Sequence, residues 1–332
     1  MNTTGEIFKV SIFGESHGKA LGVVLGGCPA GIDLCEDDFV TDLMRRKSGS
    51  KGTTTRIEAD APEIMSGVFN GKTTGAPITV MFQNTNTRSK DYSQLFQHPR
   101  PGHADFTARI KYGGFNDYTG GGHFSGRVTL GLVAAGVVAK KICGNIVFEA
   151  NLIEAGCSTD IETAVEKALQ TRDSIGGIVE CVIKNMPVGL GEPFFDSLES
   201  TIAHNIFSIP SIKGIEFGAG FGAARLTGST DNDNIIDCQG KTETNHAGGI
   251  NGGISNGNDI VFRIAVKPTP SISLPQITYN FITDRTEILE IAGRHDLCIA
   301  LRVPPVAEAA AAIAVADAGL VAGVFKRVFN KE

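Results

Sequence analysis

The sequence has no tryptophan, no CxxC pair, and no basic N-terminal segment running into an apolar stretch. The missing leader pattern predicts that the chain carries no secretory signal. Its cysteines (Cys28, Cys35, Cys143, Cys157, Cys181, Cys238 and Cys298) are odd in number and widely scattered. Neither a disulfide framework nor a zinc site is expected from such spacing, and no metal cluster is evident. The cysteines read as reduced thiols in a cytoplasmic protein. Two nucleotide signatures are also missing. There is no Walker loop and no G-x-G-x-x-G fingerprint, which argues against a nucleotide-driven kinase and a pyridine-nucleotide oxidoreductase. Ser16 lies in Gly14-Glu15-Ser16-His17-Gly18 and not in a G-x-S-x-G elbow, so a serine hydrolase is disfavoured. No Gly/Ser or Pro linker divides the chain, and residues 1–332 read as one large domain.

What is present is glycine and an uneven charge. The 41 glycines fall mostly in short motifs and form no repeat. The net charge is −6, yet the stretch from Val40 to Arg127 carries twelve Lys and Arg against seven Asp and Glu. An acidic protein with one basic segment suits a small anionic substrate. It does not suit nucleic acid, whose partners are more often basic overall with aromatic stacking motifs.

Hydrophobic periodicity predicts strands at 7–13, 22–26 and 76–82. A helix over 36–46 opens on acidic residues and closes on Arg45-Arg46, as the helix dipole favours. Residues 47–55 read as a polar loop. Residues 84–122 show little periodicity, which in a compact domain usually marks a functional or flexible stretch. Helices are expected at 128–142, at 160–172 behind a Ser158-Thr159 cap, and at 198–206. Strands 177–185 and 259–267 look alike, each ending at a proline, and hint at an internal duplication. An Ala-rich helix over 304–329 opens on Pro304-Pro305. Glu308 and Asp317 interrupt it, so it is read as a buried helix and not a membrane span.

Histidine is the side chain that titrates nearest neutrality. His17 and His103 each lie in a glycine-bearing turn, and Arg294-His295-Asp296 adds a third titratable cluster. Hydroxyls and a lysine on the Pro-stiffened Lys267-Pro268-Thr269-Pro270-Ser271 turn suit a phosphate or a cofactor ring. Gly120-Gly121-Gly122-His123-Phe124-Ser125-Gly126-Arg127 leads into the 128–142 helix as an anion-binding approach. Two Gly-Gly pairs fall between Asn245 and Ser255, placing backbone close to a ligand or a neighbouring segment.

In order, these strings resemble the chorismate synthase family nearly end to end. Further parts of the likeness are the 42–55 basic loop, Ser66-Gly67-Val68-Phe69, Gly71-Lys72-Thr73-Thr74-Gly75, and Arg88-Ser89-Lys90-Asp91-Tyr92. The family usually shows Arg-Ser-Ser-Ala-Arg where this chain has His123 to Arg127. Its basic loop usually reads Arg-Arg-Pro-Gly where this chain has Lys47-Ser48-Gly49-Ser50-Lys51. Leu297 stands where a proline usually follows the aspartate.

The resemblance implies an α+β fold with helices sandwiched between two antiparallel sheets, assembled as a homotetramer. It implies a 1,4-elimination of phosphate from 5-enolpyruvylshikimate-3-phosphate to give chorismate, with reduced FMN required and no net oxidation. NADPH is the reductant where such a chain reduces its own flavin; otherwise a separate flavin reductase serves. By resemblance, His17 protonates or stabilises the reduced flavin, His103 is the general acid for the leaving phosphate, and Asp296 assists proton removal. Flavin contacts carry over to His123, Phe124, Ser125, Gly252, Lys267, Pro268, Thr269, Pro270, Ser271 and Arg294. The anionic substrate falls to Arg45, Arg46, Lys47, Lys51 and Arg127. The other reading of the same strings is a non-catalytic flavin- or anion-binding relative of this fold.

Overall fold

The computed structural model describes residues 2–86, 95–291 and 295–329. Five strands make the first sheet: β1 (Thr3–Thr4), β2 (Lys9–Gly14), β3 (Ala20–Gly26), β4 (Glu63–Ser66) and, after a ribbon of β5 (Val68–Phe69) and β6 (Lys72–Thr73), β7 (Ile78–Gln83). Their spatial order is β1-β2-β3-β7-β4, with antiparallel neighbours throughout. The second sheet holds β8 (Val147–Ala155), β9 (Gly177–Lys184), β10 (Ile212–Phe217) and, beyond a ribbon of β11 (Ile250–Asn251) and β12 (Ile254–Ser255), β13 (Ile260–Val266). It runs β10-β13-β9-β8, again antiparallel. A hairpin of β14 (Gln276–Asn280) and β15 (Arg285–Leu289) forms its own small sheet.

The helices are α1 (Val40–Arg46), α2 (Asp105–Lys111), α3 (Thr129–Cys143), α4 (Ile161–Thr171), α5 (Leu198–Ile206), α6 (Gly228–Asp231) and α7 (Pro304–Val321). α3 packs on β2 and β3, α7 packs on β8 and β9, and the two helices pack on each other. The result is sheet, helix pair, sheet. Each sheet turns one face inward: Ile260, Phe262, Ile264 and Val266 of β13 are buried in alternation, as a half-covered antiparallel sheet requires. α3 and α7 are apolar on nearly every side because both of their sides are covered. They approach closely at Gly136, where an added Cβ would lie 2.2 Å from the Cβ of Ala309. The α+β sandwich expected by resemblance is therefore the observed fold.

Several expected elements change in detail. The 36–46 helix is a 3-10 turn over Glu36–Phe39 followed by α1. The cap of α4 is Asp160, whose carboxylate accepts the Thr163 N–H at 3.1 Å, and not Ser158-Thr159. α7 stops at Val321 because Gly323 turns left-handed (φ 71°) and Phe325 folds back over Gly319. The aperiodic 84–122 stretch contains α2. The look-alike strands 177–185 and 259–267 are β9 and β13, paired with each other in one sheet. β8, β10 and the β14–β15 hairpin were not evident from the sequence.

Candidate active site

A cavity of about 930 Å³ opens between the two sheets at one end of the helix pair. Loops leaving β2, α1, β7, β13 and α5 supply its walls, together with the segments around α2 and the start of α3. Among the described residues that line it, seven are cationic: Arg46, Arg56, Arg100, Arg127, Lys213, Lys267 and Arg302. Only Glu58, Asp60 and Asp296 oppose them. A wall of that sign attracts anions.

The glycine run is the spine of the site. Gly120, Gly121 and Gly122 are all left-handed, with φ of 60°, 84° and 54°, a conformation that costs glycine nothing. A Cβ on Gly120 would lie 1.9 Å from Nδ1 of His17, and one on Gly121 would lie 3.4 Å from Nε2 of His103. The two histidines thus meet consecutive residues of one run, although 86 positions separate them in the sequence.

His103 is held by its Nδ1, which lies 2.6 Å from Oδ1 of Asp105 and 3.1 Å from Nη2 of Arg100. Arg100 grips Asp105 through Nε and Nη2, each at 2.8 Å, and donates Nη1 to the Ser271 hydroxyl at 3.0 Å. Burial opposes ionisation of Asp105, but the bonds from Arg100 and His103 prevail and hold its carboxyl far below the usual range. An ionised Asp105 accepts only, so Nδ1 of His103 carries the hydrogen and Nε2 has the lone pair when the ring is neutral. Burial lowers the His103 pKa, helped by Arg100 and Lys267 and resisted by Asp105. In the free protein the ring is neutral at pH 7.

Opposite, Arg127 donates Nε to the Asn84 side-chain oxygen at 2.6 Å and Nη1 to Asp60 at 2.8 Å. Arg46 lies 3.8 Å from the other Asp60 oxygen, is fully buried, and donates Nη1 to the Thr129 hydroxyl at 3.3 Å. Burial and the nearby Arg302 pull its pKa down to about 9, so it remains charged at neutral pH. Asp60 is itself left-handed at φ 53°, an uncommon state for a residue other than glycine. Arg127 Nη2 and Arg46 Nε are buried with no hydrogen-bond partner among the described residues. Two spare guanidinium donors on the wall fit an anionic ligand.

Two further clusters complete the walls. Arg56 donates Nη1 to the Ser16 hydroxyl and Nη2 to the Ser16 carbonyl, both at 3.0 Å, and pairs with Glu58 at 2.7 Å. Burial resists ionisation of Glu58, but the Thr85 N–H, Arg56 and the Thr85 hydroxyl outweigh it and bring its pKa to about 2. Asp296 accepts the Thr54 N–H at 2.9 Å and pairs with Arg302 at 3.1 Å.

The cavity gathers most of the residues expected from the sequence. His103, Asp296, Arg46 and Arg127 line it. So do His123, Phe124 and Ser125, and Lys267 with Thr269, Pro270 and Ser271. The Thr269 hydroxyl is buried with no hydrogen-bond partner among the described residues, and Lys267 donates to the Gly102 carbonyl at 2.5 Å. A long cavity with an unused hydroxyl, a lysine and spare guanidinium donors suits a phosphate-bearing ring cofactor beside an anionic substrate.

Other expected residues lie elsewhere. His17 is half-buried behind Gly120, outside the lining, with burial and Arg56 lowering its pKa. Pro268 does not reach the cavity wall, and Gly252 sits in the β11–β12 turn away from it. Arg45 turns inward to Glu308 at 2.6 Å, and that bond raises its pKa. Lys47 meets the Ala59 carbonyl at 3.3 Å, and Lys51 pairs with Glu166 on α4. Arg45, Lys47 and Lys51, expected at the substrate, are thus not among the residues lining the cavity. Neighbours on α1 point about 100° apart, so only one of Arg45 and Arg46 can face the cavity. Arg294 and the Arg88–Tyr92 string lie outside the described residues.

Sequence reasoning missed Arg56, Arg100, Arg302, Glu58 and Asp60. Arg100 was legible in principle, two residues before the Gly102-His103 turn. A lone Arg302 carried no signal.

Comparisons with known proteins agree on one family. The family model described as chorismate synthase matches residues 8–320. A chorismate synthase of Chitinophaga pinensis is 61% identical, covering 99% of this chain and all of that protein. One from Methanocaldococcus jannaschii is 46% identical over 96% of each. A solved structure described as a crystal structure of chorismate synthase superimposes with a TM-score of 0.74 at 27% identity, covering 96% of this chain and 93% of that one.

Proposed function

The chain belongs to the chorismate synthase family, and we propose that the cavity between Arg46, Arg127 and His103 is where its chemistry takes place. It converts 5-enolpyruvylshikimate-3-phosphate to chorismate and phosphate, a lyase step of the shikimate pathway toward the aromatic amino acids. The observation that carries the assignment to this cavity is that two unpartnered guanidinium groups and the half-buried His103 line it together.

Arg46 and Arg127 hold the anionic groups of the substrate with charge-assisted hydrogen bonds. Asp60 keeps both guanidinium groups in place and leaves Arg127 Nη2 and Arg46 Nε for the ligand. The phosphate adds negative charge beside His103, so Nε2 gains a proton there. That proton passes to the phosphate oxygen as it leaves. Asp105, itself gripped by Arg100, keeps the ring oriented. Such general acid catalysis is typically worth ~10²–10⁴-fold. Asp296, fixed by Thr54 and Arg302, assists removal of the ring proton.

The family requires a reduced flavin, and FMN fits the residues here. Thr269, Ser271, Lys267 and the 123–125 segment would hold it, with His17, whose pKa burial and Arg56 lower, standing behind Gly120. The chemistry the site would gain from reduced FMN is transient electron donation that helps phosphate depart, which no side chain can provide. NADPH serves as reductant if the chain reduces its own flavin; otherwise a separate flavin reductase does. Exposed Phe194, Phe195 and Phe221 support assembly into a homotetramer. Cys28, Cys143, Cys181 and Cys298 are buried, with burial raising each thiol pKa, as suits a protein of the reducing cytoplasm.

The test is anaerobic phosphate release from 5-enolpyruvylshikimate-3-phosphate in two arms. One holds chemically reduced FMN, the other oxidised FMN with NADPH. Turnover in the first alone gives a synthase fed by outside reductant, and turnover in both adds an intrinsic reductase. Folded protein that is inactive in both arms overturns the reading.

A further inference from the structure

One side chain ties the His17 turn to the Arg127 guanidinium, and it is not among the residues that line the cavity. Asn84 follows the last residue of β7. Its backbone N–H donates to the Lys19 carbonyl at 3.1 Å, which fixes it beside the turn that joins β2 to β3. Its side-chain Nδ2 donates to two carbonyls of that turn, Glu15 at 3.1 Å and Gly18 at 2.8 Å. Its side-chain oxygen accepts Nε of Arg127 at 2.6 Å.

The donor and acceptor pattern admits one orientation of the amide. Flipped, it would set an oxygen against two carbonyl oxygens and an NH₂ against a guanidinium N–H. Both contacts would then be repulsive. Asparagine is also the one residue of this size that offers two donors and an acceptor in a single plane. Aspartate has the same shape but only accepts, so it would lose both bonds to the turn. Alanine would lose all three. The turn that Asn84 braces carries His17 between its two bonded carbonyls, and Ser16 of that turn lines the cavity.

Resting on the function proposed above, we propose that Asn84 is a positioning residue that sets His17 and Arg127 in register from one amide. It acts on substrate binding through Arg127 and on turnover through the His17 turn. Arg127 keeps its bond to Asp60 without Asn84, but its planar fork is then free to pivot about that single contact.

The test is a pair of double-mutant cycles. In the first, binding of 5-enolpyruvylshikimate-3-phosphate to flavin-free protein is measured by calorimetry. Asn84→Ala should weaken binding about tenfold, the worth of one hydrogen bond to a charged group. In an Arg127→Ala background the same change should have less than about a twofold effect. In the second, kcat is measured with reduced FMN. Asn84→Ala should lower it at least about tenfold, and by less than about threefold when His17 is already alanine. Equal effects in both backgrounds would show a general structural role and overturn the proposal. Should Asn84→Ala fail to fold, Asn84→Asp keeps the shape and decides the matter. It should lower kcat at least about tenfold, and wild-type kcat in that variant overturns the proposal. Wild-type protein that binds substrate but never releases phosphate would instead defeat the function, leaving the first cycle still readable.

Discussion

His103 shows how the site uses a perturbed group. On the proposed reading its ring, whose pKa burial lowers, is neutral when the cavity is free and takes up a proton when a phosphate dianion arrives. Calorimetric titration with substrate at pH 7.5 in two buffers of different ionisation enthalpy should therefore report proton uptake. His103→Asn should abolish it, and a wild-type heat independent of buffer would contradict the assignment. The same depression has a stability sign. An unfolded histidine binds protons below about pH 6.5, whereas folded His103 resists them, so its contribution is lost as pH falls through that region. Glu58 acts lower. Its pKa falls from 4.5 to about 2 on folding, so its stabilisation is complete above about pH 4.5 and disappears toward pH 2. Urea unfolding across pH 2–5 should steepen in wild type and flatten in Glu58→Gln. Gly120→Ala should lower activity by about tenfold or more, since it strains a left-handed residue and drives a methyl into His17. Unchanged kcat in that variant would remove His17 from the account. At this scale the sequence was readable where glycine or proline framed a functional group, as at His103, Arg127 and Lys267–Ser271. Arg56 and Arg302 were not, because a single arginine has no local pattern and is recruited by contacts far away in the chain.

Among elements, α1 is the piece that most clearly serves the site from outside it. Glu308 of α7, 1% exposed, accepts both guanidinium ends of Arg45, the Lys140 ammonium of α3, and the Ala150 N–H of β8. That network fixes the turn of α1 so that Arg46, the next residue, enters the cavity. Breaking a fully buried ion pair costs about 3–5 kcal/mol. Arg45 is 42% exposed, so Glu308→Gln should cost less, about 2 kcal/mol by urea unfolding. A loss under about 0.5 kcal/mol would contradict a bracing role. Element boundaries were legible for α5 and for the Pro304-Pro305 start of α7, whereas the end of α7 was expected at 329 and falls at Val321. The aperiodic 84–122 stretch hid α2, because a seven-residue helix spans only two turns and shows no period. β8 and β10 were hidden because their outward positions carry mixed side chains.

The whole molecule makes sense of the charge distribution seen in the sequence. The basic 40–127 stretch supplies Arg46, Arg56, Arg100 and Arg127, four of the seven cavity cations, while the acidic remainder forms the rest of the body. Lys213, Lys267 and Arg302 come from the second half of the chain, so the site is closed only when both sheets pack on the helix pair. Which strands pair, and that β9 meets β13, could not be read from either strand alone, since pairing is a property of the assembled sandwich. Light scattering on the purified protein should give four times the 35.0 kDa chain mass, and a monomer at micromolar concentration would remove the tetramer. The most direct test of the account is anaerobic phosphate release with reduced FMN, comparing wild type with Arg127→Ala and His103→Ala across a range of substrate concentrations. The cavity assignment predicts that His103→Ala lowers kcat at least about 100-fold, while Arg127→Ala chiefly raises KM. Wild-type kinetics in both variants would place the chemistry elsewhere on the molecule.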